Sequence, residues 1–282
     1  MTTTTTTTSS ASATATAPRA GARPGPAGLR PAGPVRASLS MAGRALRRIR
    51  HEPEQMADAI AVPIVFTVLF TYLFGGALAG STHTYLRFLL PGTLVFAVLL
   101  VTVSTGLFLC SDKASGALDR FRSMPVWQPA LVTGGLIADI VRYLIAAVLV
   151  LGLGLAMGYR PAGGAAGVLA AVALIMVFAF SLSWVWATLG LLLRSAQAVS
   201  VLSFAVQFPL TFASNAFVDP ATLPGWLRAF VTANPVSHLV TAERGLMNGT
   251  AAASDIGWVL LASAALIAVF GPLTMRLYRS RR

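Results

Sequence analysis

Apolar residues in this chain run in long blocks and do not alternate with polar ones. Six blocks, near 57–78, 88–110, 130–157, 165–193, 196–217 and 256–275, reach the roughly 20 residues that a helix needs to cross a bilayer core. The third and fourth exceed that length, which predicts tilt or projection beyond the lipid. The first carries Asp58 at its mouth, where a carboxylate complements a helix N-terminus. Pro63 follows in what the pattern makes the first turns, where proline disrupts least. No internal repeat is visible. The predicted fold class is an all-α polytopic membrane protein with six transmembrane helices.

Three stretches outside the blocks have helical periodicity but mixed polarity. In SLSMAGRALRRIRHEPEQ (38–55), Leu39, Ala42, Leu46 and Ile49 share one face, while Arg44, Arg47 and Arg48 fall on the other and Arg50 lands near the stripe's edge. That predicts a basic amphipathic helix, lying on the lipid surface or packed on a soluble partner. In SDKASGALDRFRSMP (111–125), Ala114, Ala117, Leu118 and Phe121 gather in a narrow arc away from Lys113, Asp119, Arg120 and Arg122. Ser111 or Asp112 is placed to cap this element and Pro125 to end it. By its residues alone it is either a short docking helix or a connector whose charges keep it in water. Between Asp219 and Pro235, Leu223, Trp226, Leu227, Phe230 and Val231 form a third stripe. That run is too short and too broken by proline to span, so it predicts a re-entrant or interfacial helix, with Trp226 suited to the headgroup level.

Composition agrees with the blocks. Of 282 residues, 56% are hydrophobic and 11% charged, against about 25% charged in soluble domains. The net charge of +12 does not point to nucleic acid, because the arginines bracket the apolar blocks and form no separate basic face. They set the orientation instead. With the N-terminus inside, the cytoplasmic flanks hold thirteen basic residues, Arg36, Arg44, Arg47, Arg48, Arg50, Lys113, Arg120, Arg122, Arg194, Arg276, Arg279, Arg281 and Arg282. The external loops hold four, Arg87, Arg160, Arg228 and Arg244. This asymmetry predicts that both termini are cytoplasmic. Residues 1–37 are low-complexity Thr, Ala, Pro, Gly and Arg, a composition that predicts a disordered tail and lacks the apolar core of a secretory signal. Residues 38–282 form the membrane domain. One cysteine, Cys110, excludes an internal disulfide, and twenty arginines against one lysine suggest a GC-rich bacterial coding sequence, hence a bacterial cytoplasmic membrane.

Candidate chemistry is sparse. Asp139 and Arg142 stand three apart in the third block, on one helical face. They are either an intramembrane functional pair or, the reading favoured here, a mutually neutralised pair near the interface. Ser181, Ser183, Trp184 and Trp186 in the fourth block, and Ser200, Ser203 and Gln207 in the fifth, are polar groups of the kind that bond between helices or line a path for an amphipathic solute. His51-Glu52 begins a zinc-protease motif, but Gln55 stands where the second histidine is required. The three histidines are scattered, so no metal site is expected, and no Gly-x-Ser-x-Gly elbow exists. There is also no Gly-x-x-x-x-Gly-Lys-Ser/Thr loop, so this chain is expected to bind no ATP itself.

Two motifs carry a resemblance. Asp112-Lys113-x-x-Gly116-x-Leu118-Asp119-Arg120-Phe121-x-x-x-Pro125 resembles the coupling segment of type-2 ABC exporter permeases of the daunorubicin-resistance kind. A distant stretch after the fifth block is similar to a second signature of the same family: Phe208-Pro209, Ser214, Phe217-Val218, Leu223-Pro224, Trp226-Leu227, Asn234-Pro235, His238, Arg244 and Gly249. The resemblance covers residues 38–280. It implies a six-span permease subunit, pairing with itself or with a sibling. A separate ATPase subunit, which binds ATP and Mg, would dock on the 112–125 segment from the cytoplasm. It further implies an outer gate formed by Phe217, Leu223, Pro224, Trp226, Leu227, Asn234 and Pro235, and export of an amphipathic drug, secondary metabolite or lipid-like compound. An ion-coupled secondary carrier and a non-transporting membrane scaffold are the competing readings.

Overall fold

A computed structural model of the chain describes residues 53–116, 130–217 and 223–280, together with Gly43. The Thr-rich tail, most of the amphipathic stretch at 38–55 and residues 117–129 lie outside the described residues. Every regular element among those described is a helix: α1 (Pro53–Ala79), α2 (Thr82–Ala114), α3 (Ala130–Ala156), α4 (Gly164–Leu192), α5 (Ala196–Phe212), α6 (Gly225–Ala233), α7 (Pro235–Asn248) and α8 (Ala253–Ser280). Four stretches are long and apolar enough to cross a membrane: Thr82–Ala114, Gly134–Ala156, Gly164–Leu192 and Ala253–Tyr278. The apolar parts of α1 (Ala61–Ala77) and α5 (Ala196–Phe212) are shorter.

The apolar blocks locate the long helices well, and the differences have local causes. α1 begins at Pro53, whose fixed φ suits a first helical position, so Pro63 lies in the helix interior and Asp58 in the second turn. Thr67 Oγ1 donates to the Pro63 carbonyl at 2.7 Å. α2 overruns its block at both ends. Ser81 caps it by accepting from the Thr84 amide at 3.1 Å, and the helix continues through Ala114. Ser111 and Asp112 therefore lie in its last turns and start no new helix. Gly116 provides the stop, because it takes the left-handed conformation (φ +68) that favours glycine. α5 ends at Phe212, with Pro209 in its last turn and a tight turn at 213–217 in place of further helix.

α2 is the hub. It packs against α1, α3, α4, α5 and α7, while α8 lies on α4 and α7. Its core positions, from Tyr85 through Leu90, Val95 and Leu99 to Val101, are buried. Close approach is made possible by Gly106 on α2 and Gly190 on α4. A Cβ on Gly106 would strike the Trp186 carbonyl, and one on Gly190 would strike the Gly106 backbone, the small-residue packing typical of helices in lipid. Large apolar side chains such as Tyr72, Val148, Phe204 and Val269 are exposed, which fits helices solvated by lipid.

Candidate coupling and transport sites

Side-chain hydrogen bonds tie α2, α3 and α4 together. Asp139 and Arg142 are ion-paired on α3, and both are buried. Thr105 of α2 donates to Asp139 Oδ2 at 2.5 Å, and the Arg142 guanidinium lies 4.3 Å from the centre of the Phe108 ring. The Tyr143 hydroxyl is 2.5 Å from Ser183 Oγ on α4 and 3.4 Å from Thr105 Oγ1. Trp186 Nε1 donates to Thr102 Oγ1 at 2.8 Å. The two charges neutralise each other as expected. They do so buried inside the bundle, with the Thr105 hydroxyl and the Phe108 ring of α2 closing over them.

Of the coupling candidates, Asp112, Lys113 and Gly116 are described, whereas Leu118, Asp119, Arg120, Phe121 and Pro125 lie outside the described residues. Lys113 Nζ donates to the Leu191 carbonyl at 2.9 Å and the Leu193 carbonyl at 2.8 Å, at the C-terminal end of α4. The Asp112 carbonyl accepts from Ser115 Oγ at 3.2 Å.

α5 carries the other polar candidates. Ser200 is exposed, while Ser203 and Gln207 are buried and are joined one turn further on by Thr211. Neither hydroxyl and neither end of the Gln207 amide has a hydrogen-bond partner among the described residues. Beside this stripe runs a second one. Phe204 and Phe208 are exposed, Phe208 stacks on Phe212 with centroids 4.2 Å apart, and Phe212 stacks on Phe217 at 5.0 Å. Phe217 in turn meets Phe70 of α1 and Phe96 of α2, each at 5.9 Å.

The outer candidates fall on the α6–α7 hairpin and its approach. Phe217 is buried in the aromatic cluster, Trp226 is exposed, and Leu227 is half-buried. Leu223 and Pro224 lead into α6, with Pro224 at its N-cap. Asn234 earns its place through three bonds. Its Oδ1 accepts from the Val236 amide at 2.9 Å, capping α7, while Nδ2 donates to the Leu210 and Ala213 carbonyls at 2.7 and 3.0 Å. Pro235 opens α7. The hairpin is thus fastened to the end of α5. Arg244 fastens it to α2: Nη2 donates to the Phe88 and Asn215 carbonyls, both at 3.1 Å, and the guanidinium sits 4.0 Å over the Phe88 ring. Gly249 ends α7 with φ +75.

Glu243 on α7 escaped the reading of the sequence. It is fully buried, and neither carboxylate oxygen has a partner among the described residues. Burial alone holds its carboxyl well above the usual carboxylate range. The signal was present, since Val236, Leu239, Val240, Glu243 and Met247 keep one helical face of α7, and a carboxylate on an otherwise apolar stripe marks a buried charge. Among the described residues no three His, Cys, Asp or Glu side chains gather to hold a metal.

Among the described residues, a helical bundle with several lipid-length helices and internally paired charges defines a multi-pass membrane protein. Residues 37–248 match the ABC-2 type transporter family, and the chain belongs to it. It is a membrane component of an ABC transporter and works with a separate ATP-binding subunit. The chain is 49% identical over 257 residues to the daunorubicin resistance ABC transporter permease protein DrrB1 of Streptomyces coeruleorubidus, covering 90% of this chain and 91% of that one. It is 24% identical over 243 residues to the probable doxorubicin resistance ABC transporter permease protein DrrC of Mycobacterium tuberculosis, covering 86% and 88% of the two chains. It is also 24% identical over 211 residues to a putative transport permease, ycf38, of Porphyra purpurea, covering 73% and 72%.

Proposed function

We propose that this chain is the permease half of an ATP-driven exporter that expels amphipathic, drug-like molecules across a bacterial cytoplasmic membrane. The observation that carries this reading is the 49% identity to a daunorubicin-resistance permease over nine-tenths of the chain. In this reading α1 and α5 complete six spans, with both termini cytoplasmic, and two permeases, identical or sibling, enclose the path. At 17 residues α5 is about 26 Å long, so it needs the turn at 213–217 to complete its crossing.

The ATPase docks on Asp112, Gly116, Leu118, Asp119, Arg120, Phe121 and Pro125. Phe217, Leu223, Pro224, Trp226, Leu227, Asn234 and Pro235 close the outer end. Support for that role comes from Asn234, which ties the hairpin to the last carbonyls of α5 and so moves with it. Ser200, Ser203 and Gln207 line the path. For Ser203 and Gln207 the support is energetic: a buried donor or acceptor without a partner costs about 1–3 kcal/mol. The buried amide and hydroxyl of α5 therefore favour any position of the helix in which solute or water reaches them.

The test is daunorubicin uptake into inverted membrane vesicles that hold the full chain with or without its co-expressed ATPase subunit. Uptake should require the ATPase and ATP, and Phe121→Asp should reduce it by about tenfold or more while releasing the ATPase from the membrane. Uptake that proceeds without the ATPase on an ion gradient would make the chain a secondary carrier. ATPase binding without any flux would make it a scaffold.

A further inference from the structure

Lys113 stands within the charged segment, but its side chain turns back into the bundle. From the last turn of α2 its ammonium reaches the carbonyls of Leu191 and Leu193, at 2.9 and 2.8 Å. The last carbonyls of a helix lack intrahelical partners and carry the negative end of the helix dipole. A cation placed there is therefore both hydrogen-bonded and electrostatically favoured. One turn earlier, Cys110 Sγ lies 3.9 Å from the same Leu193 carbonyl. Leu193 opens the elbow between α4 and α5, and Ser195 closes it by accepting from the Ala198 amide at 3.2 Å.

The ties along α2 are unequal. To α4 it is joined by the Thr102–Trp186 hydrogen bond, the Gly106–Gly190 crossing and Lys113. Against α5 its contacts are apolar, with Val199 beside Gly106 and the Phe96 ring 5.5 Å from that of Phe212, and the α5 side chains of Ser203, Gln207 and Thr211 form no hydrogen bond among the described residues. Among the described residues, the hydrogen-bonded route from the foot of α2 toward α5 thus runs by way of the elbow.

We propose that Lys113 is a positioning residue for transport, a clamp that ties the foot of α2 to the α4–α5 elbow so that movement of the 111–125 segment turns α5. The clamp rests on the exporter reading above, and it places Lys113 apart from the residues that touch the ATPase.

The test uses the full chain with its ATPase subunit in inverted vesicles and daunorubicin as the probe. Lys113→Met should lower the daunorubicin accumulated per ATP hydrolysed by about tenfold, an ordinary size for coupling between two sites. Lys113→Arg, whose guanidinium reaches the same carbonyls, should restore most of it. A crosslink from Phe121→Cys to the ATPase should keep its wild-type yield in the Lys113→Met chain. An unchanged ratio in Lys113→Met overturns the clamp. So does a crosslink lost together with uptake, which would mean that the lysine faces the ATPase. If the otherwise wild-type chain shows neither crosslink nor ATP-driven uptake, the exporter reading falls and the clamp with it. A second measurement does not depend on how Lys113→Met folds. Spin labels at Ser115→Cys and Arg194→Cys, both exposed positions, in a Cys110→Ser background should keep one separation with and without trapped ATP. A separation that changes between the two states overturns the clamp.

Discussion

α4 and α5 meet at a three-residue elbow, yet their polar side chains are in opposite circumstances. On α4, Ser181, Ser183 and Thr188 each donate to the carbonyl four residues back, at 2.7 to 2.8 Å. Trp186 donates to α2 and Thr188 meets Thr274 of α8 at 2.7 Å. Trp184 is the exception, its indole N–H having no partner among the described residues. On α5, Ser203 and Thr211 are buried without using that local carbonyl, and Gln207 lies between them with no partner among the described residues. Serine and threonine satisfy themselves cheaply within a helix, so their failure to do so on α5 is informative. α4 is braced as part of a frame with α2 and α3. α5 rests against that frame on a face its polar groups do not suit.

The largest expected effect tests the frame. Asp139→Leu leaves the Arg142 guanidinium buried without its counter-charge, a change that costs about 3–5 kcal/mol. Little folded permease should survive detergent extraction and thermal challenge. Adding Arg142→Met should recover most of the loss, since removing both charges avoids the uncompensated one. If Asp139→Leu melts like the wild type, α3 is no more firmly braced than α5 and the contrast fails.

A smaller effect of opposite sign tests α5. Gln207→Leu replaces a buried amide that has no partner among the described residues with an apolar side chain. It should stabilise the purified permease by about 1–3 kcal/mol, read as a higher melting temperature, while daunorubicin uptake falls because the position that buries residue 207 is now favoured. Uptake and stability moving in the same direction would remove the polar stripe from the path.

These contrasts were only partly legible in the sequence. The long helices were, because lipid requires continuous apolar runs and little else produces them. α3 and α4 emerge near their predicted limits for that reason. The termini were harder. Gly116, and no cap at Ser111, decides where α2 stops, since a glycine that accepts a left-handed φ ends a helix whether or not polar residues precede it. The partners of the polar residues were harder still. Asp139 and Arg142 were readable as a pair from their spacing, but Thr105, Tyr143 and Ser183 come from three helices whose relative rotation no single segment specifies. Lys113 shows the limit most plainly. A lysine in a charged stretch reads as solvent-facing, and only the position of the α4 terminus reveals where its ammonium goes.

Glu243 gives the finest test, because it is an orphan on a helix that is otherwise well fastened. Arg244, next to it on α7, is bonded to α2, and the Gly163 amide donates to the Met247 carbonyl at 2.9 Å. Motion is therefore not the natural relief for this carboxyl. A proton is, and this separates it from Gln207, which cannot be neutralised. Burial raises the folded-state value above the unfolded one, about 4.3, so over that interval the folded chain holds a proton that the unfolded chain has lost. The contribution is complete below about pH 4.3 and declines as pH rises, at no more than about 1.4 kcal/mol per unit, until the folded carboxyl ionises. Glu243→Gln removes this titration. Melting temperatures of the two purified chains should nearly coincide at the acid end and separate as pH increases, with the glutamine form the more stable. A gap that stays constant with pH would mean the carboxylate is already ionised and partnered in the folded permease, and an unpaired side chain on α7 would then share nothing with those on α5.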